Sequence, residues 1–568
     1  MHWSQNYNPL GSALLSILVA ALPIVVLLGC IATGRVKAYV AALAGLATAL
    51  LIATFVLHMP LSAALAASAT GAAYGVLPIG WIVLNILFLY QLTKEQGAFD
   101  AMQASIATVS SDRRVQLVLI AFSLGAFFEG AAGFGTPVAI TGALLIGLGF
   151  TPLQASGLSL IANTAPVAFG AMGTPIIALQ GVTGIDALTL SRMVGRQTPL
   201  FAMIIPFWLI GAYDGRRGIR ETWPVLLVAG ASFAIPQFVM SNFQGPYLVD
   251  VVAGAVSIVC VTAFIRFANR RPPYAAPRTP PEAPYAAPRT PPDAPHAAPR
   301  TPPEAPHAAT RTPPDAPHAA RAFIPWLLLC ALVLAWGLAP TKKLLNGIFA
   351  PQFHVAYLDG VVQRVPPVVA AVQTEPALYT FNILSATGTS ILIAAVLGGV
   401  AMGCSTRTMA RVYARTLRIA LPSLVTIAAM LALGYLTRYS GLDAILGLAF
   451  ARSGVLYPLF GTLLGWLGVA LTGSDTSSNV LFGSLQKITA TQLGLPPTLM
   501  AAANSSGGVM GKMIDMQSIV VASAATRWFG HEGRILRFVF WHSLILATLV
   551  GLLVMLQAYV PPFTRMVP

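Results

Sequence analysis

Charge is what this sequence has least of: Asp, Glu, Lys and Arg make up 9% of its 568 residues. A soluble globular chain carries roughly 25%. So few charges cannot clothe a water-facing surface, and a soluble globule is excluded. Cysteine is scarce too. Cys30, Cys260, Cys330 and Cys404 fall in or beside apolar runs, with neither metal-ligand spacing nor a disulfide framework, and read as packing residues. Catalytic signatures are missing: there is no His-Glu-x-x-His, no Gly-x-Ser-x-Gly with a matching His, and no Cys/His cluster. This argues against an intramembrane enzyme, a metal site and a cofactor. Gly133-Phe-Gly135 lacks the third glycine of a dinucleotide loop, because position 138 is Val. The stretch Gly507 to Met513 is one residue short of a phosphate loop and ends in Met where Ser or Thr is needed. His531-Glu532 reads as a solvated turn, and His542 as a packing or interfacial residue.

What fills the space is apolar. Hydrophobic residues make up 56% of the chain, and its mean hydropathy is +0.75. Uncharged runs extend from 12–33 to 537–560, several of them short or rich in Gly and Pro. They predict an all-α integral membrane protein with 12–14 transmembrane helices. The first run has no basic residues before it and no small-residue cleavage site, so it is expected to be a span and not a cleaved signal.

The net charge of +15 alone suggests a nucleic-acid binder. Its distribution says otherwise. Basic clusters stand at Arg35/Lys37, Arg113/Arg114, Arg216/Arg217/Arg220, Arg266/Arg270/Arg271, Arg407/Arg411/Arg415/Arg418 and Arg527/Arg534/Arg537. Counting spans places them all on one side, provided residues 115–213 cross an even number of times. By the positive-inside rule that side is the cytoplasm, so the protein sits in the cell (inner) membrane with both termini outside. No nucleic-acid partner is expected.

One segment breaks the pattern. Residues 277–319 repeat Ala-Pro-Arg-Thr-Pro-Pro-acid-Ala-Pro-(Tyr/His)-Ala, with Arg278, Arg289, Arg300 and Arg311 balanced by Glu282, Asp293, Glu304 and Asp315. Proline at this density forms neither helix nor sheet. The segment reads as a cytoplasmic spacer whose length is immaterial to activity, dividing the chain into 1–266, a linker of 267–321, and 322–568. The sharper alternative is an adaptor ligand. His296, His307 and His318 within it do not make a metal site.

The informative residues are polar ones inside apolar runs, where each costs several kcal/mol unless paired or functional. They concentrate in two regions. The first holds Glu129, Gly133, Gly135, Thr136 and Pro137, then Asn163, Thr164 and Pro166. The second holds Ser474, Asp475, Thr476, Ser477 and Asn479, then Asn504, Ser505, Ser506, Lys512 and Asp515. Each is an acidic, Gly/Ser/Thr-rich break followed by an Asn-led break. Paired interruptions in two halves are a pointer to a transporter binding site made from broken helices. The blander reading is close helix packing at the glycines.

Four stretches resemble the signatures of bacterial L-lactate permeases: Phe128–Pro137, Ile161–Gly170, Leu471–Gly483 and Ala503–Met513. The beginning, Trp3-Ser-Gln-Asn-Tyr-Asn-Pro-Leu-Gly11, is similar to that family's as well. The resemblance covers nearly the whole chain outside the Pro-rich repeat. It implies a secondary transporter that takes up lactate, and often glycolate, with protons, built as two inverted-repeat halves with re-entrant hairpins. One stretch departs: where the family pattern reads Lys-Met-Ile-Ser-Pro-Gln-Ser, this chain has Lys512-Met-Ile-Asp515-Met516-Gln517-Ser518. A carboxylate replaces a hydroxyl and a proline is lost, which bears on substrate range and coupling.

On this reading the substrate carboxylate meets the helix N-termini near Asn163 and Asn504, with Lys512 as a further donor. Its hydroxyl meets Asn163, Thr164, Ser505 or Ser506. Glu129, Asp475 and Asp515 are the proton-coupling candidates, Asp475 being alternatively the ionic partner of Lys512. The partners expected are a small monocarboxylate, protons and the bilayer, with a homodimer left open. A sodium-coupled carboxylate symporter is the alternative.

Overall fold

A computed structural model of the chain describes residues 2–32, 36–97, 109–131, 133, 135–268 and 324–568. The repeat of 277–319, with its arginines and histidines, lies outside the described residues, as do Arg35, Arg270 and Arg271.

In hydrocarbon every backbone N–H and C=O needs a partner within the chain, and a helix supplies it locally. Among the described residues nine helices are long and apolar enough to cross a membrane, or eleven if each of two sharply bent pairs is one span. The protein is a multi-pass membrane protein. The count falls below the 12–14 expected because some helices are cut short: Pro137–Gly147 and Thr387–Ala401 are apolar but only 10–17 residues long. Others, Asp475–Gln492 and Pro497–Gly511, carry the polar residues of the second region.

Turns between spans follow glycine. Helix Thr198–Phe243 is broken at Gly215, whose φ of 65° and ψ of −157° reverse the chain. The two arms fold back closely enough that a Cβ on Gly230 would lie 2.6 Å from the Met203 carbonyl oxygen.

The element order around the first polar region recurs around the second. Helix Gly125–Ala131 ends near the left-handed Gly135 (φ 77°), then come Thr136–Gly147, a tight turn, and Pro152–Ala162. Helix Tyr457–Thr472 ends at the left-handed Gly473 (φ 73°), then come Asp475–Gln492, a tight turn, and Pro497–Gly511. In both places a residue that tolerates positive φ lets one helix stop and a new one start inside the helical bundle.

A small β region covers one end. Strand Trp3–Ser4 runs parallel to Val362–Arg364, which pairs antiparallel with Gln373–Thr374. Gln352–His354 pairs antiparallel with Leu378–Thr380. Glu375 takes Arg364 at 2.7 Å and Arg438 at 3.1 Å, fastening this region to the end of helix Thr406–Ser440.

Candidate functional site

The second region builds a hydrogen-bonded cradle. Ser474 caps helix Asp475–Gln492 by accepting from the Ser477 backbone N–H. This orients Asp475 inward at the first turn, where the free N–H groups and the helix dipole favour an anion. The carboxylate Oδ2 accepts from the Ser505 hydroxyl at 2.5 Å and from the Asn479 amide at 3.4 Å. Its Oδ1 has no partner although the residue is buried. Asn504 donates to Asn479 Oδ1 at 2.9 Å and accepts from Gln486 at 3.2 Å. Gln486 in turn accepts from the Tyr457 hydroxyl at 2.6 Å. The chain links three helices through neutral polar groups.

The break after Pro497–Gly511 carries the only lysine of the two motifs. Lys512 is buried, donates to the Gly473 carbonyl at 2.6 Å, and pairs with Asp515 Oδ2 at 3.2 Å. Asp515 Oδ1 accepts from the Ser518 N–H at 2.7 Å, so this carboxylate is the N-cap of helix Met516–Ala525. That accounts for the departure from the family pattern. Asp and Ser both cap well, and Met at the first helical position costs little where Pro is merely favoured. The change adds a negative charge beside Lys512. Asp475, by contrast, makes no ion pair with Lys512, because the ammonium is held at Asp515; the alternative role expected for it is corrected accordingly.

The first region faces this cradle. Glu129 is 4% exposed, its Oε2 has no hydrogen bond, Lys512 and Asp515 act on it electrostatically, and the Asn163 amide stands beside its carboxyl. Asn163 ends helix Pro152–Ala162 beside it, with both amide atoms buried and without hydrogen bonds. Beyond Asn163 the chain unwinds. Ala171, Met172 and Gly173 are all left-handed, with φ of 44°, 60° and 73°. For the two non-glycine residues this conformation costs of order 1–3 kcal/mol each. The unwound turn frees backbone oxygens: the Pro175 carbonyl accepts from the Asn479 amide at 3.2 Å, across the two regions. Ser506 donates to Gln197 at 2.7 Å, and Lys487 to the Thr183 carbonyl at 2.6 Å, making two further crossings.

The expected residues therefore sort by whether they are occupied. The hydroxyls of Thr164, Ser505 and Ser506 are already engaged, with Ile161, Asp475 and Gln197. Thr476 and Ser477 are nearly buried on the first turn of their helix, and Thr136 heads its own. Gly133 and Gly135 line the break, with Val521 packed against Gly135. Among these residues, buried atoms without a hydrogen bond or ion pair remain on Asn163, Glu129 and Asp475, whereas Asp515 Oδ2 is held by Lys512. His542 accepts from Trp208 at 3.0 Å, and His531 stacks on Trp528, both away from this centre.

Sequence reasoning missed Gln197, Gln237, Asp250 and Gln486. All are buried and polar, and all sit in or beside apolar runs. The cost criterion applied to Glu129 would have found them, but none lies in a Gly- or Asn-rich motif. Asp443 is another buried carboxyl with both oxygens unpartnered, placed towards Arg364 and Ser484.

Comparison with known proteins agrees with these motifs. The profile of the L-lactate permease family matches residues 16–561. The glycolate permease GlcA of Escherichia coli K12 is 44% identical over 573 residues, covering 99% of both chains. L-lactate permeases of Salmonella typhimurium and Bacillus subtilis are 43% and 42% identical, each covering 100% of both chains. Among solved structures, MtrF of Neisseria gonorrhoeae aligns at a TM-score of 0.44 and 13% identity, over 87% of this chain and 83% of its own, too distant to carry an argument. With a family match over almost its whole length and relatives above two-fifths identity end to end, the chain belongs to the L-lactate permease family.

Proposed function

We propose that this chain imports L-lactate, glycolate and related 2-hydroxy monocarboxylates by proton symport. What carries the reading is a set of unsatisfied polar atoms, on Asn163, Glu129 and Asp475, gathered around Lys512 where two broken helices meet. A buried donor or acceptor without a partner costs about 1–3 kcal/mol. Several in one place are retained where a ligand completes them. Asn163 offers both a donor and an acceptor, which suits a hydroxyl beside a carboxylate.

Charge balance supports the proton. Lys512 is paired with Asp515, so its charge is already compensated and does not neutralise the substrate's carboxylate. A proton taken up with it, on Glu129 or Asp475, makes the loaded site neutral and the transport step independent of membrane voltage. The two halves, 1–266 and 322–568, form inverted repeats that rock around this centre, joined by a cytoplasmic linker. The relatives named above as glycolate and L-lactate permeases support the substrate class proposed.

The test is uptake of labelled lactate into proteoliposomes under an imposed pH gradient in sodium-free buffer. Accumulation that follows the gradient is expected, and competition by glycolate with it. Strict dependence on sodium would sink the proton assignment and favour a sodium symporter.

A further inference from the structure

Helix Val249–Ala268 begins inside the protein, and its second residue, Asp250, is 1% exposed. Two glycines bring it against helix Gly125–Ala131. A Cβ on Gly130 would lie 2.7 Å from the Val251 nitrogen and 2.9 Å from Asp250 Cβ. One turn further on, a Cβ on Gly254 would lie 2.6 Å from the Phe127 nitrogen. The crossing sets Asp250 beside Gly130, the neighbour of Glu129, near enough for the charge of Glu129 to act on Asp250. Asp250 Oδ2 and Glu129 Oε2 are both buried without a hydrogen-bond partner. Asp250 Oδ1 has one weak donor, the Gln237 amide at 3.4 Å. That amide also donates to the Ala165 carbonyl at 3.1 Å, in the unwound segment after Asn163.

Among the described residues, those packed around Asp250 supply no cation. Helix Gly125–Ala131 presents Glu129, and helix Thr198–Phe243 presents the neutral Gln237. The segment Val118–Leu124 presents Ser123, bonded to Ser257 at 2.8 Å. Gly170–Thr183 carries no ionisable side chain. Lys512 acts on Glu129 but is itself neutralised by Asp515, and no cation acts on Asp250, so two ionised carboxylates here would repel in a medium of low dielectric constant. One proton bound to a carboxylate oxygen removes a negative charge and supplies an O–H donor where the buried oxygens have none.

We propose that Asp250 and Glu129 form a carboxyl pair that takes up and releases the coupled proton, with Gln237 reporting the state of the first broken helix. The proposal rests on the symport reading. Loading forms one O–H bond on the pair, and release to the other side breaks it, so charge and protons balance over the cycle. Asp250 acts as a proton carrier with Glu129, and the substrate is held by other groups, Asn163 among them.

The test uses the full-length chain in proteoliposomes, comparing accumulation under a pH gradient with lactate:lactate counterflow, which needs no net proton movement. For 1:1 coupling about one pH unit sustains about tenfold accumulation. Asp250→Asn is expected to keep counterflow and lose that accumulation, while Asp250→Glu regains it with a displaced pH profile. Proton-driven accumulation by Asp250→Asn equal to the parent's would overturn the pair. So would loss of counterflow in both variants, which marks a structural role. Sodium-driven uptake by the parent would overturn the symport reading and this proposal together, whereas a proton-driven parent with a fully coupled Asp250→Asn overturns the pair alone.

Discussion

Lys512 and Asp515 stand three residues apart and form an ion pair at 3.2 Å, with the lysine almost buried and the aspartate wholly so. The aspartate does two jobs: it neutralises the ammonium and it caps helix Met516–Ala525. These roles separate by substitution. Asp515→Ser keeps the cap and discards the charge, whereas Asp515→Ala discards both, so Ala should be less stable by about 1 kcal/mol. Removing one partner of a buried pair costs roughly 3–5 kcal/mol, and Lys512→Met combined with Asp515→Ala should recover part of it. Thermal unfolding of the purified variants in detergent checks the cycle; additive losses would show that the pair has no energetic coupling.

Glu129→Gln and Asp475→Asn should each abolish accumulation of lactate. Asn at 475 still accepts from Ser505 but takes up no proton, and Gln at 129 likewise keeps shape without charge. A fully accumulating Glu129→Gln protein, measured at expression equal to the parent's, would remove Glu129 from the coupling.

Gly508 lies against the Asp475 carboxylate, and a methyl group there collides with Oδ1. Gly508→Ala should therefore displace Asp475 from Ser505, at a cost of about 1–3 kcal/mol for overpacking. The expected result is a folded protein with strongly reduced uptake. Unchanged uptake kinetics would mean that the carboxylate position is not critical.

Asp359 lies in the β region outside the membrane-spanning helices. The Ala377 N–H donates to its carboxyl at 2.7 Å, and His354 sits at 2.6 Å; together they hold its pKa below the ordinary carboxylate value. A depressed folded value stabilises the region at pH above the unfolded value of about 3.9, and this stabilisation is lost as pH falls through the folded value. Hydrogen exchange across residues 352–380 should accelerate on acidification in the parent, and show no such acid-dependent step in Asp359→Asn.

Much of this was legible in the residues because the bilayer is an unforgiving solvent. A charge or amide inside an apolar run must have a reason, so Glu129, Asp475 and Lys512 stood out without any structure. Helix ends were legible for the same reason: Gly135 and Gly473 mark places where only a left-handed residue lets the backbone stop. Asp250 escaped notice because one acid at the start of an apolar run looks like an ordinary span end.

By itself the sequence determined the solvent, the helical class, the family and the residues too polar for their surroundings, since these depend on composition and on neighbours along the chain. Only the tertiary structure decided which of those residues share a partner and which stand unsatisfied. Asn479 reaching the Pro175 carbonyl, Lys512 choosing Asp515 over Asp475, and Asp250 meeting Glu129 across two glycines are matters of distance between segments. Hydrogen bonds and charge pairs act over a few ångströms, and which atoms come that close is settled by how helices far apart in sequence pack together.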